Sequence, residues 1–280
     1  MQPRQPLPLE ISTYIIDYLY NCPTSLKSCS HVCQAWLAIS RFHLFYCIRL
    51  YLSGPGVRVS NRFRRLHDVI EQSPSVALFI RELHIIRSSK MLRMPDSEWP
   101  KLGMVIPLLF SKFTRLQKFD VAGINWSHLT ADARSSVRAL LALPSLVHLA
   151  VRFITVSKIQ HITALLPPNL KRLTVVCIRV RADDPGVIHA IDVENGQMFS
   201  RNSRQLEYLK VYQTPIFNNW LLGEQSDVDI SNIHTLDTED EIAVMLRLVR
   251  SMGPSLEHLK ISCLSGGSYC FDHQLLPITA

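Results

Sequence analysis

Four groups of residues in this 280-residue chain have the types and spacing to do chemistry. Asp237, Glu239, Asp240 and Glu241 crowd carboxylates together, the raw material for general acid–base work or for a hard cation. The same run suits the first turn of a helix, where acidic side chains offset exposed N–H dipoles, and that reading fits the apolar pattern after it. Arg58, Arg62, Arg64 and Arg65, with Phe63 interleaved, could hold phosphate by bidentate bonds and stack a base. Phe63, Leu66, Val69 and Ile70 lie at helical spacing, however, which makes the arginines the solvated face of a helix packed on the first of the repeats described below. An acidic partner suits that face better than nucleic acid. Cys29, His31 and Cys33, and His43 with Cys47, offer thiols and imidazoles, but a metal site needs three or four convergent ligands. Ser265-Gly266-Gly267-Ser268 has no well-patterned helix after it and reads as a turn. The sequence holds no phosphate loop, G-x-G-x-x-G, G-x-S-x-G elbow or H-E-x-x-H helix. The expectation is a protein that is not an enzyme, with no catalytic residue, no cofactor and no metal.

Composition bounds what can position these groups. A hydrophobic content of 47% supplies a sizeable core. Apolar runs such as Val105 to Phe110 fall far short of the ~20 residues that span a bilayer, so no membrane association is expected. The start, Met1-Gln2-Pro3-Arg4, lacks the apolar run of a signal peptide. An intracellular location, cytoplasmic or nuclear, follows as the expectation. Seven cysteines without a C-x-x-C pair read as small buried hydrophobes in a reducing compartment. Residues 1 to 182 carry 24 basic against 9 acidic side chains, and residues 183 to 280 carry 6 against 14. Opposite fields at the two ends can steer a charged partner to one of them.

The first fifty residues are organised as short helices. Pro8 suits a first helical position, and Ile11, Ile15 and Leu19 recur along one face of a helix of about three turns. Asn21-Cys22-Pro23-Thr24 breaks it, because Pro23 cannot continue the hydrogen-bond ladder. A second helix capped by Thr24 or Ser25 carries Leu26, Cys29 and Cys33, with Val32 beside them, and leads to a third through Trp36, Leu37 and Ile39. Helices this short draw their order from packing on one another and on a partner.

This segment resembles the F-box, a helical module that docks onto the Skp-type adaptor of cullin-RING ubiquitin ligases. The matching residues are Leu7-Pro8-Leu9-Glu10, Ile15-Ile16-x-x-Leu19 and Leu26-x-x-Cys29-x-x-Val32-Cys33-x-x-Trp36. Arg41-Phe42-His43-Leu44-Phe45 before an Ile48-x-Leu50 strand, and Ser73-Pro74-x-Val76-Ala77-x-Phe79-Ile80-Arg81-Glu82-Leu83, look more specifically like the F-box family of mushroom-forming (basidiomycete) fungi. The resemblance implies that Leu7, Pro8, Ile11, Ile15, Ile16, Leu26, Cys29, Val32 and Trp36 carry adaptor binding or the helical core beneath it. Sequence does not separate the two roles.

The remaining chain repeats. Seven segments share the spacing apolar-x-x-apolar-x-X: Ile80-Leu83-Ile85, Leu116-Phe119-Val121, Leu146-Leu149-Val151, Leu170-Leu173-Val175, Leu206-Leu209-Val211, Ile233-Leu236-Thr238 and Leu256-Leu259-Ile261. Their starts lie 23 to 36 residues apart, close to or longer than a leucine-rich repeat. The first residue of each is expected to close the turn into a strand, and the next two to alternate inward. Helices are predicted over Pro100 to Lys112, Ala131 to Leu143, Ser157 to Leu166 and Glu239 to Met252. In the second, Ala133, Val137, Leu140 and Leu141 share a face. Long loops are expected at Arg181 to Gln197 and Phe217 to Asn232. The Asn or Cys of the repeat's turn is mostly missing, though Cys177 and Cys263 stand near it.

The expected fold is thus α/β: a three-helix F-box-like domain over residues 5–47, then an irregular leucine-rich repeat solenoid over 48–280 with a parallel sheet and outer helices. The expected function is a substrate receptor of a Skp-cullin-F-box type ubiquitin ligase, bound through the Skp-type adaptor to a cullin scaffold and holding a protein substrate. A repeat scaffold or nucleic-acid-associated protein that recruits no ligase is the alternative.

Overall fold

The computed structural model describes residues 8–52, 59–86, 97–156, 166–180, 204–223, 226, 228–239 and 242–262. Leu7, Arg58, Asp240, Glu241, Cys263, Cys270, the loop 181–197, the Ser265–Ser268 turn and residues 157–165 of the third predicted helix lie outside them.

Three short helices open the chain: α1 (Leu9–Tyr18), α2 (Pro23–Cys29) and α3 (Gln34–Tyr46). From α3 the chain runs directly into β1 (Cys47–Tyr51). Then come α4 (Val59–Gln72), α5 (Ser75–Phe79), β2 (Glu82–Ile86), α6 (Glu98–Phe110), β3 (Lys118–Ala122), α7 (Ala131–Leu141) and β4 (His148–Arg152). After β5 (Thr155–Val156) follow β6 (Arg172–Val176), β7 (Arg179–Val180), β8 (Arg204–Gln205), β9 (Tyr208–Tyr212) and α8 (Pro215–Leu221). Then β10 (Val228–Asp229), β11 (Thr235–Glu239), α9 (Ile242–Met252) and β12 (His258–Ile261) complete the order.

The protein is α/β, with a parallel sheet of eight strands in the order β1-β2-β3-β4-β6-β9-β11-β12. All seven predicted segments supply strands, and their register is the repeat itself. Leu83, Phe119, Leu149, Leu173, Leu209, Leu236 and Leu259 pair strand to strand along one row. Two residues on, Ile85, Val121, Val151, Val175, Val211, Thr238 and Ile261 make a second row. Because side chains alternate across a strand, both rows face one side. There they join a continuous core with the apolar faces of the helices, including Phe63, Leu66 and Ile70 of α4, Leu102, Ile106 and Leu109 of α6, and Leu248 of α9. Val69, expected on the same face of α4, is instead exposed. The first residue of each unit, from Ile80 to Leu256, is buried where the chain turns into its strand. Burial fades only in β12, where Ile261 is 38% exposed.

A second regularity follows the strands. Gly123, Phe153, Cys177 and Gln213, each directly after a strand, have φ of 74°, 51°, 52° and 50°. The N–H of each donates to the carbonyl of the last residue in the next strand, Arg152, Val176, Tyr212 and Glu239 respectively. Backbone groups thus join neighbouring turns, with Cys177 in the place where the sequence put it.

Helix α7 covers the sheet with the four predicted residues buried, and Thr130 caps it by accepting from the Ala133 N–H at 3.2 Å. It approaches α6 closely at Gly103, where a Cβ would lie 2.8 Å from Thr130 Cγ2. Two of the expected element assignments fail. The predicted loop from Phe217 overlaps α8, which starts with Pro215 at its first position and buries Phe217 and Leu221 one turn apart. A helix of 7 residues is too short to show periodicity. Asp237 and Glu239 lie on β11, not at a helix start, because Leu236 and Thr238 take the inward positions and α9 begins at Ile242.

Thr238 is the one polar member of its row, fully buried, with no hydrogen-bond partner for Oγ1 among the described residues. An unpartnered hydroxyl of this kind costs about 1 to 3 kcal/mol. Thr238→Val is therefore expected to raise unfolding free energy by about 1 kcal/mol in urea titration. Gln213, exposed and left-handed, gives the opposite kind of change: Gln213→Val should lose about 1 to 2 kcal/mol, and Gln213→Gly should stay within about 1 kcal/mol of wild type.

Candidate functional site

The helical unit at the chain's start has two kinds of apolar residue. Pro8 holds the N-cap of α1 at φ −51° and ψ 143° and accepts from the Ser12 N–H at 3.1 Å. On the inner edge of α1, Ser12 and Ile16 are buried, Ile16 at 0% exposure. On the edge beside it Ile11, Tyr14, Ile15 and Tyr18 stand in solvent, Ile11 at 49% and Tyr18 at 83% exposure. Helix α2 begins at Pro23, and Cys22 rather than Thr24 or Ser25 occupies its cap position. The Cys22 Sγ lies 3.0 Å from Ser25 Oγ. Leu26 is buried, Cys29 and Trp36 are half-buried, and Val32 is exposed.

Of the residues that sequence singled out, Ile16 and Leu26 thus form core, while Pro8, Ile11, Ile15 and Val32 form surface. Helix α3 packs on both other helices and is tied to α1 by His43 Nε2 and Asp17 Oδ1 at 2.7 Å. Its other side meets α5, where Phe42 and Phe79 stack edge to face at 6.2 Å. The Arg81 N–H then donates to the Tyr46 carbonyl at 2.9 Å.

Among the arginines, Arg62 Nη1 donates to the Tyr51 carbonyl at 2.8 Å, and Arg64 and Arg65 are exposed on α4. On the buried side of the same helix, Glu98 of α6 accepts from the Ser60 N–H at 3.2 Å and from its hydroxyl at 3.0 Å.

The strand faces turned away from the helices carry most of the remaining polar chemistry. One register row reads Cys47, Glu82, Lys118, His148, Arg172, Tyr208, Thr235 and His258, and the next reads Arg49, His84, Asp120, Ala150, Thr174, Lys210, Asp237 and Lys260. At one end His84 Nδ1 lies 3.3 Å from Asp120 Oδ2, and Arg152 Nη2 lies 3.0 Å from the same oxygen. Hydrogen bonding to Asp120, reinforced by Cys47 and Glu82, pushes the His84 imidazole up to about 10. Towards the other end Asp237 accepts from Lys210 Nζ at 2.7 Å and from the Tyr212 hydroxyl. Burial works against the Lys210 charge, yet Asp237 and Tyr212 hold its ammonium above the usual lysine range. Sequence reasoning passed over His84, Asp120 and Lys210 because they are the unnamed positions of the repeat spacing. It also paired Cys47 with His43, whereas His43 turns to α1 and Cys47 to the sheet.

His148 sits between Lys118 and Arg172 in register, with Asp120 and Glu82 farther off. Burial first, and then these two cations, push its imidazole down to about 4. The unfolded chain takes up a proton near pH 6.5 that the folded protein refuses until about 4. Stability must therefore fall as pH drops through that window and level off below it. His148→Gln is expected to flatten this part of the stability curve, read as urea midpoints at pH about 4.5 and about 7; an unchanged slope would contradict the assignment. Among the described residues no helix is long and apolar enough to cross a membrane. Comparison with models of known protein families finds no match, and comparison with curated proteins finds none.

Proposed function

We propose that this protein is a substrate receptor of a Skp-cullin-F-box type ubiquitin ligase. One observation carries the reading: Ile11, Tyr14, Ile15 and Tyr18, at i, i+3, i+4 and i+7 of α1, form an apolar stripe that nothing in the described chain covers. Contiguous exposed apolar surface of this kind marks a binding site, and the spacing is that of a helix laid into a partner's groove. The stripe lies within the segment that resembles the F-box. Residues 5–47 form the docking domain, in which Pro8, Ile11, Ile15 and Val32 meet the Skp-type adaptor and Ile16 and Leu26 hold the helices together. The two separate blocks that resemble the fungal F-box family touch at Phe42 and Phe79, and again at Tyr46 and Arg81, which supports reading them as one unit.

Residues 48–280 form a degenerate leucine-rich repeat solenoid that holds the protein substrate. The sheet face turned away from the helices offers its less buried side chains, such as Lys118, Arg172 and His258, for recognition. Catalysis resides in other subunits of the ligase. The receptor contributes effective concentration, because it holds target lysines near a charged ubiquitin carrier and turns a bimolecular encounter into a local one.

Co-expression with a Skp-type adaptor, followed by size exclusion and titration, tests the docking half. Wild type should elute as a complex. Truncating a central interface residue costs about 2 kcal/mol or more, so Ile11→Asp with Ile15→Asp should weaken binding at least about 100-fold. Its far-ultraviolet circular dichroism should not change, since both side chains are exposed. Arg64→Ala with Arg65→Ala should bind as wild type does. No complex with wild type, or equal binding by the aspartate variant, would sink the reading. The exposed Arg64 and Arg65 favour one second reading, a nucleic-acid-associated repeat scaffold. It requires a salt-dependent nucleic-acid shift that disappears in the arginine variant.

A further inference from the structure

The register that builds the sheet also brings three metal-ligating side chains together. Cys47 opens β1, Glu82 is its direct partner on β2, and His84 stands two residues farther along the same face of β2. One donor atom from each, a thiol sulfur, a carboxylate oxygen and an imidazole nitrogen, lie within 4.8 Å of one another. In a tetrahedral site with metal–ligand bonds of about 2.0 to 2.3 Å, donor atoms stand roughly 3.5 Å apart. Small rotamer adjustments close that difference. His84 is buried, while Cys47 and Glu82 are half-buried on the open side of the sheet.

The surroundings are also those of a metal ligand. His84 directs Nε2 towards Glu82 Oε2 at 3.0 Å and Nδ1 towards Asp120 Oδ2 at 3.3 Å. A carboxylate on the far nitrogen fixes the ring and its tautomer, as it does for ligating histidines generally. Asp120 is held in turn by Arg152, and Glu82 by Lys118 Nζ at 3.4 Å. Arg49 stands opposite His84 in register.

We propose that Cys47, Glu82 and His84 bind a divalent, thiophilic transition metal of the zinc class, with Asp120 orienting His84. Binding breaks the His84–Glu82 hydrogen bond and forms metal–sulfur, metal–nitrogen and metal–oxygen bonds. The thiol and the imidazolium each release a proton to solvent. One dication replaces two protons, so the net charge of the network does not change. The fourth position takes water or a ligand atom from a bound molecule. The site is independent of the ligase reading, since it lies on the sheet and uses none of the α1 surface.

The test titrates the reduced, metal-free full-length chain with Co²⁺ as a spectroscopic probe, and then with Zn²⁺ in competition. The expected result is one equivalent bound, with a thiolate-to-cobalt charge-transfer band and the intense visible bands of a four-coordinate ion, both bleached by Zn²⁺. Cys47→Ser should abolish the charge-transfer band, and Cys177→Ser should leave it intact. Glu82→Gln and Asp120→Asn should keep the band but weaken affinity about tenfold or more. Absence of the band in wild type, or its survival in Cys47→Ser, would overturn the proposal. Should Cys47→Ser lose its fold by circular dichroism, Glu82→Gln decides: unchanged cobalt affinity in that variant overturns it equally.

Discussion

Parallel pairing is the constraint from which the rest of the molecule follows. Parallel neighbours cannot be joined by a tight turn; each needs a crossover long enough to return the chain to the same end. In this protein every crossover that carries a described helix packs it against the same side, because Leu83, Ile85 and their equivalents face that way in every strand. A slip of one residue in a strand such as β9 would move the buried Leu209 into solvent and the charged Lys210 into the core. Register is therefore fixed by one rule at each of the seven pairings of the eight-stranded sheet, and the other face inherits whatever residues fall between.

That inheritance explains the electrostatics. Side chains such as Glu82, Lys118 and His148 are brought side by side by hydrogen bonding between strands and not by any local preference. Each is then forced to find an arrangement with its neighbours. Where opposite charges meet, as at Asp120 or Asp237, they pair. Where a histidine falls between two cations, as His148 does, it stays neutral. A row of independent choices in sequence becomes one coupled surface in the fold.

This difference also sets what was legible beforehand. The strands were readable because leucine and valine recur at fixed offsets, and α7 because Ala133, Val137, Leu140 and Leu141 make an unbroken face. Helix α8 was not, being short and opened by a proline that equally signals a loop. On α1 the sequence showed the apolar edge of Ile11 and Ile15, but the buried edge runs through Ser12, whose hydroxyl returns to the Pro8 carbonyl at 3.2 Å. A serine hides a core position. The cluster around His84 was invisible for another reason: Cys47, Glu82 and Asp120 are far apart in the chain, and only the strand pairing tells which residues stand together. The acidic run misled because strand β11 takes half of it before the helix begins.

The sequential strand order has a consequence for how such a chain changes over generations. Each strand of the main sheet pairs only with the one before it and the one after it. The spacing of unit starts nevertheless ranges from 23 to 36 residues without disturbing the register. Insertions are absorbed in the crossovers, and a duplicated or deleted unit alters one seam while the others persist. Such a gene can lengthen or shorten by whole units, while the leucine and valine positions of its strands and the inward faces of its crossover helices stay fixed.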